Sequence, residues 1–257
     1  MPHVLIILTS QGFIPATRQK TGWHLVRPPP PLPQPFHHSQ CATPQSELAH
    51  PYSILEHKVN LTIASPQGGE APLDPASTKL ASDEADTTST TFLTQHREVW
   101  THTYKIREMV ARAGEFDAVF YVGGCGAMFD LITDAASLAL IQTVAAAGKP
   151  VAAVSHGPAA LLNATAPSGV PLLAGARVTG FSKEEEDAAG MAAVVPFQLD
   201  TELERVSGGG YVKADRSGAE KVVVSKTAGL QSPLITGQNP ASAAGVAREI
   251  LRVLGCD

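Results

Sequence analysis

Short apolar runs recur along this chain, separated by segments with a helical period. His3–Thr9, Val59–Ala64, Ala118–Val122 and Val151–Val154 read as strands. The last two lack a polar position, the pattern of strands covered on both faces in a parallel sheet. Lys221–Ser225, Leu234–Thr236 and the shorter Arg177–Gly180 read as further strands. Glu47–Lys58 and the Ala- and Leu-rich Ala135–Ala147 read as helices, the second stopped by Gly148-Lys149-Pro150. Asp83–Ala111 reads as a longer polar helix with apolar positions at Phe92, Leu93 and Trp100, and Ala241–Leu254 as a closing helix. This alternation predicts a layered α/β fold with a mostly parallel sheet, in a single domain over 1–257.

One segment breaks the pattern. His24–Ser46 contains the run Pro28–Pro31 and has neither a helical nor a strand period. Consecutive prolines exclude a helix and favour polyproline II. The segment reads as an irregular surface insert. The alternatives are a docking segment for a proline-binding domain and a metal site from His37, His38 and Cys41, which lacks a second ligand pair at recognisable spacing.

Composition narrows the function classes. The chain has 257 residues, 44% of them apolar and 17% charged, with a net charge of −5. It has no basic block and no apolar run of membrane-spanning length, which argues against nucleic acid and membrane partners. The N-terminus lacks the positive region of a secretion signal. Cys41, Cys125 and Cys256 are scattered and odd in number, so they form no disulfide framework and suit a reducing cytoplasm.

The candidate chemistry sits at two turns. Val151–Val154 runs into Ser155-His156-Gly157-Pro158 and then into Ala-Ala-Leu-Leu, which reads as the start of a helix. A strand–turn–helix of this kind lifts the residue at its tip toward the backbone N–H groups of the helix start. Ser155 is the candidate nucleophile, His156 its base, and Gly157 permits the close turn. Gly123-Gly124-Cys125-Gly126 follows the strand Ala118–Val122, and its N–H groups are candidate oxyanion donors. Cys125 within it reads first as a small packed residue and second as a substitute nucleophile. Glu47 and the run Lys183–Asp187 supply acids that could orient His156, and spacing does not choose among them. The dinucleotide-binding glycine pattern is absent, and Ser207–Tyr211 lacks the Lys-Ser/Thr ending of a phosphate loop.

Together these motifs resemble one family. Gly123–Asp130, Ala152–Pro158, Val178–Phe181 with Glu186, and Thr236–Ser242 resemble the ThiJ/PfpI superfamily. Lys20–Trp23 and Glu47–Pro51 resemble the start of its glyoxalase III branch, found in fungi and bacteria and also described as D-lactate dehydratases and heat-shock chaperones. The resemblance implies a flavodoxin-like three-layer sandwich, related to class I glutamine amidotransferases and often dimeric. It implies glutathione-independent conversion of methylglyoxal to D-lactate with no metal or other cofactor. It places the nucleophile on Ser155, its histidine on His156, the completing acid on Glu186 and the glutamate beside the nucleophile on Glu47. It places the oxyanion donors on Gly123, Gly124 and Gly126.

Two departures matter. The family nucleophile is a cysteine and here it is Ser155; the family usually has a histidine where this chain has Cys125. A thiolate forms readily at such a turn, whereas a hydroxyl needs a base in place at the moment of attack. The expectation is a glyoxalase III-like lyase, weakened at Ser155, acting on a small aldehyde or ketoaldehyde. The alternatives are an enzyme using Ser155 to hydrolyse or hydrate another carbonyl metabolite, and a non-catalytic chaperone or binding protein.

Overall fold

A computed structural model of the chain describes residues 1–25, 46–75, 77–78, 86–227 and 230–256. His37, His38, Cys41 and the proline run, with the readings placed on them, lie outside these residues. Seven strands form one sheet: β1 (His3–Ile7), β2 (Asn60–Ser65), β3 (Tyr104–Lys105), β4 (Ala118–Tyr121), β5 (Val151–Val154), β6 (Val222–Thr227) and β7 (Leu230–Gly237). Their order is β3-β2-β1-β4-β5-β7-β6, with all neighbours parallel except the antiparallel pair β6–β7.

The central strands bury both faces because both faces are apolar. Leu5, Ile7, Val119, Tyr121, Val151 and Ala153 point into one core. The alternate residues Val4, Ile6, Ala118, Phe120, Ala152 and Val154 point into the other. Helices among the described residues include α1 (Ala49–Leu55), α2 (Thr87–Gln95), α3 (Glu98–Thr101), α4 (Ile106–Ala111), α5 (Ala135–Ala146), α6 (Lys183–Ala188), α7 (Leu199–Ser207) and α8 (Ala243–Leu254). Residues of α4, α5 and α7 fill the first core, and residues of α1, α2 and α8 the second. The result is the α/β sandwich expected from the alternating pattern. No helix among the described residues is long and apolar enough to cross a membrane.

Several expected elements differ, each for a physical reason. The stretch expected as one helix over Asp83–Ala111 is broken into α2, α3, β3 and α4. Asp86 starts α2 by accepting from the Ser89 N–H (3.1 Å) and hydroxyl (2.6 Å). Downstream, Tyr104 and Lys105 pair with Ala64 and Ser65 of β2, and sheet pairing overrides the helical period there. Arg177–Gly180 is not a strand. Val178 makes one bridge with Tyr211, while the Thr179 N–H goes to Thr236 Oγ1 and the Phe181 N–H to the Ser155 carbonyl. Val178 donates to Gly210 O and accepts from the Val212 N–H within that bridge, and pairing stops after it because the next N–H, of Thr179, goes to a side chain of β7.

The expected helix after Ser155 is a 3-10 turn over Gly157–Leu161. All five of its residues are buried, so no polar face exists along which an amphipathic helix could continue. At the two ends of His24–Ser46 the described residues join the folded body. Leu25 and Ser46 are fully buried, and the Ser46 hydroxyl accepts from the N–H groups of Leu48 and Ala49 at the start of α1. We expect Asp86→Ala to lower stability by about 1–2 kcal/mol in urea unfolding at neutral pH, the usual cost of losing a helix cap.

Candidate active site

The site lies at the carboxyl ends of β4 and β5, beside β1, where the strand order reverses direction. Open α/β sheets bind their ligands at such a point. The β4–β5 register pairs Tyr121 with Ala153, so the two chains leave the sheet side by side and bring Gly123 against Ser155. A Cβ on Gly123 would lie 2.1 Å from Glu47 Oε2 and 2.7 Å from Ser155 Cβ. Only glycine at 123 leaves room for the Glu47 carboxylate and the Ser155 side chain on the same spot.

Ser155 is fully buried and has a left-handed backbone, φ 60°. A residue with a Cβ pays roughly 1–2 kcal/mol for that conformation. Tertiary hydrogen bonds hold it there: the Ser155 N–H donates to Gly237 O, and the Ser155 carbonyl accepts from the Phe181 N–H, both at 2.9 Å. Gly157 follows in a turn so close to β4 that a Cβ would lie 2.4 Å from the Tyr121 carbonyl oxygen.

His156 is buried and pairs with Glu186, its Nε2 lying 2.9 Å from Glu186 Oε2. A carboxylate only accepts, so Nε2 carries a proton, and in the uncharged form of the ring Nδ1 is then the acceptor. Phe181 packs on the ring, with centroids 4.6 Å apart. Three consecutive glutamates face three ways around α6. Glu184 pairs with Lys213 at the surface. Glu185 accepts from Ser182, Gly218, Gln238 and Asn239, which anchors the short helix. Glu186 is left facing His156.

The buried side-chain atoms of the site that make no hydrogen bond among the described residues include Ser155 Oγ, His156 Nδ1, His24 Nδ1 and both oxygens of Glu47. Ser155 is therefore hydrogen-bonded neither to His156 nor to Glu47. Each such buried group costs about 1–3 kcal/mol unless a ligand or water satisfies it. The N–H groups of Gly123 and Gly124 also donate to nothing among the described residues. Gly126 instead borders Thr9 and Gln11, where its missing side chain permits close packing on the β1 exit. Cys125 is buried in the 3-10 turn that follows Gly124. No group of three or more metal-ligating side chains occurs among the described residues.

Two members of the cluster escaped the sequence reading. His24, assigned there to the proline-rich insert, sits with Nδ1 3.6 Å from Glu47 Oε1 and Nε2 3.5 Å from Asp74 Oδ2. Its ring meets His156 edge-on at 6.2 Å. The adjoining Lys20–Trp23 block was the available signal, since it continues into His24 without a break. Burial alone lowers the His24 pKa, but Asp74 and Glu47 outweigh it and carry the imidazole up to about 9.

Two stability outcomes follow. Ser155→Gly should be more stable than Ser155→Ala by about 1 kcal/mol in chemical unfolding, because both remove the unpartnered hydroxyl but only glycine relieves the left-handed strain. A histidine whose pKa is raised on folding contributes stability in full below its unfolded value of 6.5, and that contribution is lost as pH rises through 9. The wild type should therefore lose on the order of 1–3 kcal/mol between those limits that a His24→Gln variant does not lose, measured by urea unfolding across pH.

Comparison with known proteins fits this architecture. The Rapid Encystment Protein 24 kDa of Francisella tularensis has a solved structure that superposes with a TM-score of 0.79 at 30% identity, over 99% of both chains. A Schizosaccharomyces pombe protein named a probable glutathione-independent glyoxalase is 30% identical over 146 residues, 54% of each chain. Glyoxalase 3 of Candida albicans is 27% identical over 147 residues, 56% of this chain and 60% of that protein. The chain thus spans little more than half the length of these two fungal relatives. Residues 42–252 match the DJ-1/PfpI family, and the chain belongs to it.

Proposed function

We propose that the protein is a glutathione-independent glyoxalase-type enzyme that converts methylglyoxal and water to D-lactate, slowed by Ser155 in place of a cysteine. One observation carries this reading. A nucleophile and an acceptor nitrogen backed by a carboxylate, neither making a hydrogen bond, lie buried together with a second carboxylate that accepts none. The two fungal relatives named glyoxalases support the substrate class.

The chemistry assigns each group one task. The Ser155 hydroxyl adds to the aldehyde carbon and its proton passes to His156 Nδ1, while Glu186 steadies the imidazolium through Nε2. The former carbonyl oxygen takes up negative charge and faces the N–H groups of Gly123 and Gly124. That oxygen is reprotonated from His156, giving a hemiacetal. Glu47 then removes the hydrogen on the same carbon, leaving an enediolate with its charge on the former ketone oxygen, and returns that proton to the neighbouring carbon while the hemiacetal hydroxyl proton passes to the former ketone oxygen. The product is a seryl ester of lactate, which water cleaves with His156 again as the base. Burial of the site keeps bulk water from competing with the proton transfers.

The serine is the weak point. A thiol at this turn ionises near neutral pH, whereas a hydroxyl must lose its proton during attack, and Ser155 Oγ is not yet hydrogen-bonded to a base. Loss of methylglyoxal and formation of D-lactate, measured for the wild type and Ser155→Cys, test the reading. Ser155→Cys should be at least about tenfold faster in kcat/KM, worth about 1.4 kcal/mol of barrier. Equal turnover by the two overturns the slowing by serine. Turnover by neither overturns the glyoxalase reading, and fluorophosphonate labelling of Ser155 in that case would favour hydrolysis.

A further inference from the structure

His24 does not enter the reaction as written above, yet the fold places it with care. Residues 22–24 lie alongside residues 72–74, tied by Trp23 N–H to Pro72 O and Asp74 N–H to Trp23 O, each 3.0 Å. Trp23 and Leu73 form a parallel bridge. The same segment presses on the glycine turn, since a Cβ on Gly124 would lie 2.3 Å from Gly22 O and 3.0 Å from His24 N. Backbone pairing thus sets His24 and Asp74 side by side, and the glycine turn holds His24 at the edge of the site. The side chain is 12% exposed.

Three titratable groups face the ring: Glu47 on Nδ1, Asp74 on Nε2 and His156 edge-on. His156 is itself committed to Glu186 through Nε2. His24 is the sole cationic partner of Glu47 within 4 Å among the described residues. A carboxylate buried to this degree and accepting no hydrogen bond would favour its neutral form unless a cation stood beside it.

We propose that His24 is a positioning residue, an ion-pair clamp between Asp74 and Glu47 that keeps Glu47 a carboxylate and orients it toward the carbon held by Ser155. The clamp rests on the reading of Glu47 as the group that moves the substrate proton. His24 keeps its own proton throughout: Asp74 fixes one end of the ring, so the other end offers Glu47 a constant positive charge. Burial works against the imidazolium, but the two carboxylates outweigh it and hold its pKa near 9. The charge is therefore present across the neutral range. Removing it would leave Glu47 buried beside Ser155 without a counter-charge, and the carboxylate would hold a proton to higher pH, where it cannot accept one from substrate.

The test reads the charges directly in the full chain, so it does not depend on turnover. NMR with carbon-13 at the glutamate carboxyls and nitrogen-15 in the histidine rings follows Glu47 and His24 through a pH titration. Glu47→Gln and His24→Gln spectra supply the assignments. The titration midpoint of Glu47 should rise by at least one pH unit in His24→Gln. The His24 midpoint should fall by at least one pH unit in Asp74→Asn, a variant that leaves Glu47 untouched and guards against misfolding of the first. Unchanged midpoints in well-folded variants overturn the clamp. In the Ser155→Cys protein, His24→Gln should also move the acidic limb of the kcat profile for methylglyoxal to higher pH; a uniform loss of kcat with the limb unmoved would mark a merely structural role and overturn the proposal. Shifted midpoints in a protein that never turns over methylglyoxal would uphold the charge clamp and overturn the function proposed for the site.

Discussion

The left-handed backbone of Ser155 is the constraint around which the site is organised. It turns the chain at the end of a strand covered on both faces, and the Gly237 carbonyl and Phe181 N–H hold it there. Because the strain sits on a residue with a side chain, neighbouring atoms must yield space. Gly123 and Gly157 do so: the first makes room for Glu47 and Ser155, the second lets the turn lie against the Tyr121 carbonyl. A side chain at either glycine would push apart groups that the sheet register brings together.

Electrostatics divides the site into two halves across Ser155. On one side Glu186 fixes the imidazole of His156 and leaves Nδ1 as the acceptor. On the other, Asp74 and His24 stand behind Glu47. The two halves come from distant parts of the chain, α6 on one side and the segments around 24, 47 and 74 on the other. Each half depends on scaffold that takes no part in the chemistry. Glu185 anchors α6 through the Gln238–Asn239 loop, and strand-like pairing of Trp23 with residues 72–74 anchors His24. Buried polar atoms that stay unpartnered at the centre cost stability, and the apolar cores on both sheet faces offset that cost.

Some of this was legible in the chain and some was not. Ala118–Val122 and Val151–Val154 announced buried parallel strands because they contain no polar residue, and the glycine and serine turns after them stood out as punctuation. Asp83–Ala111 misled because its helical period continues through residues that pair with the edge of the sheet. Arg177–Gly180 misled because its pairing ends at the single bridge of Val178; the next N–H, of Thr179, goes to the Thr236 hydroxyl instead of a ladder. His24 was hidden by the prolines that follow it, although the apolar residue beside it, Leu25, belongs to the core.

The sequence by itself determined the sheet, the turn that carries Ser155, the glycines opposite it and the family to which these motifs point, because each is a local pattern of residue type. Among Glu184, Glu185 and Glu186, local chemistry offers no distinction; the rotation of α6 against the sheet made one a surface partner, one an anchor and one the partner of His156. The same holds for His24, whose proton is retained by two carboxylates about 23 and 50 residues away in the chain. Charge and orientation in a buried site depend on which groups face one another through low-dielectric surroundings, and only the tertiary structure decides that.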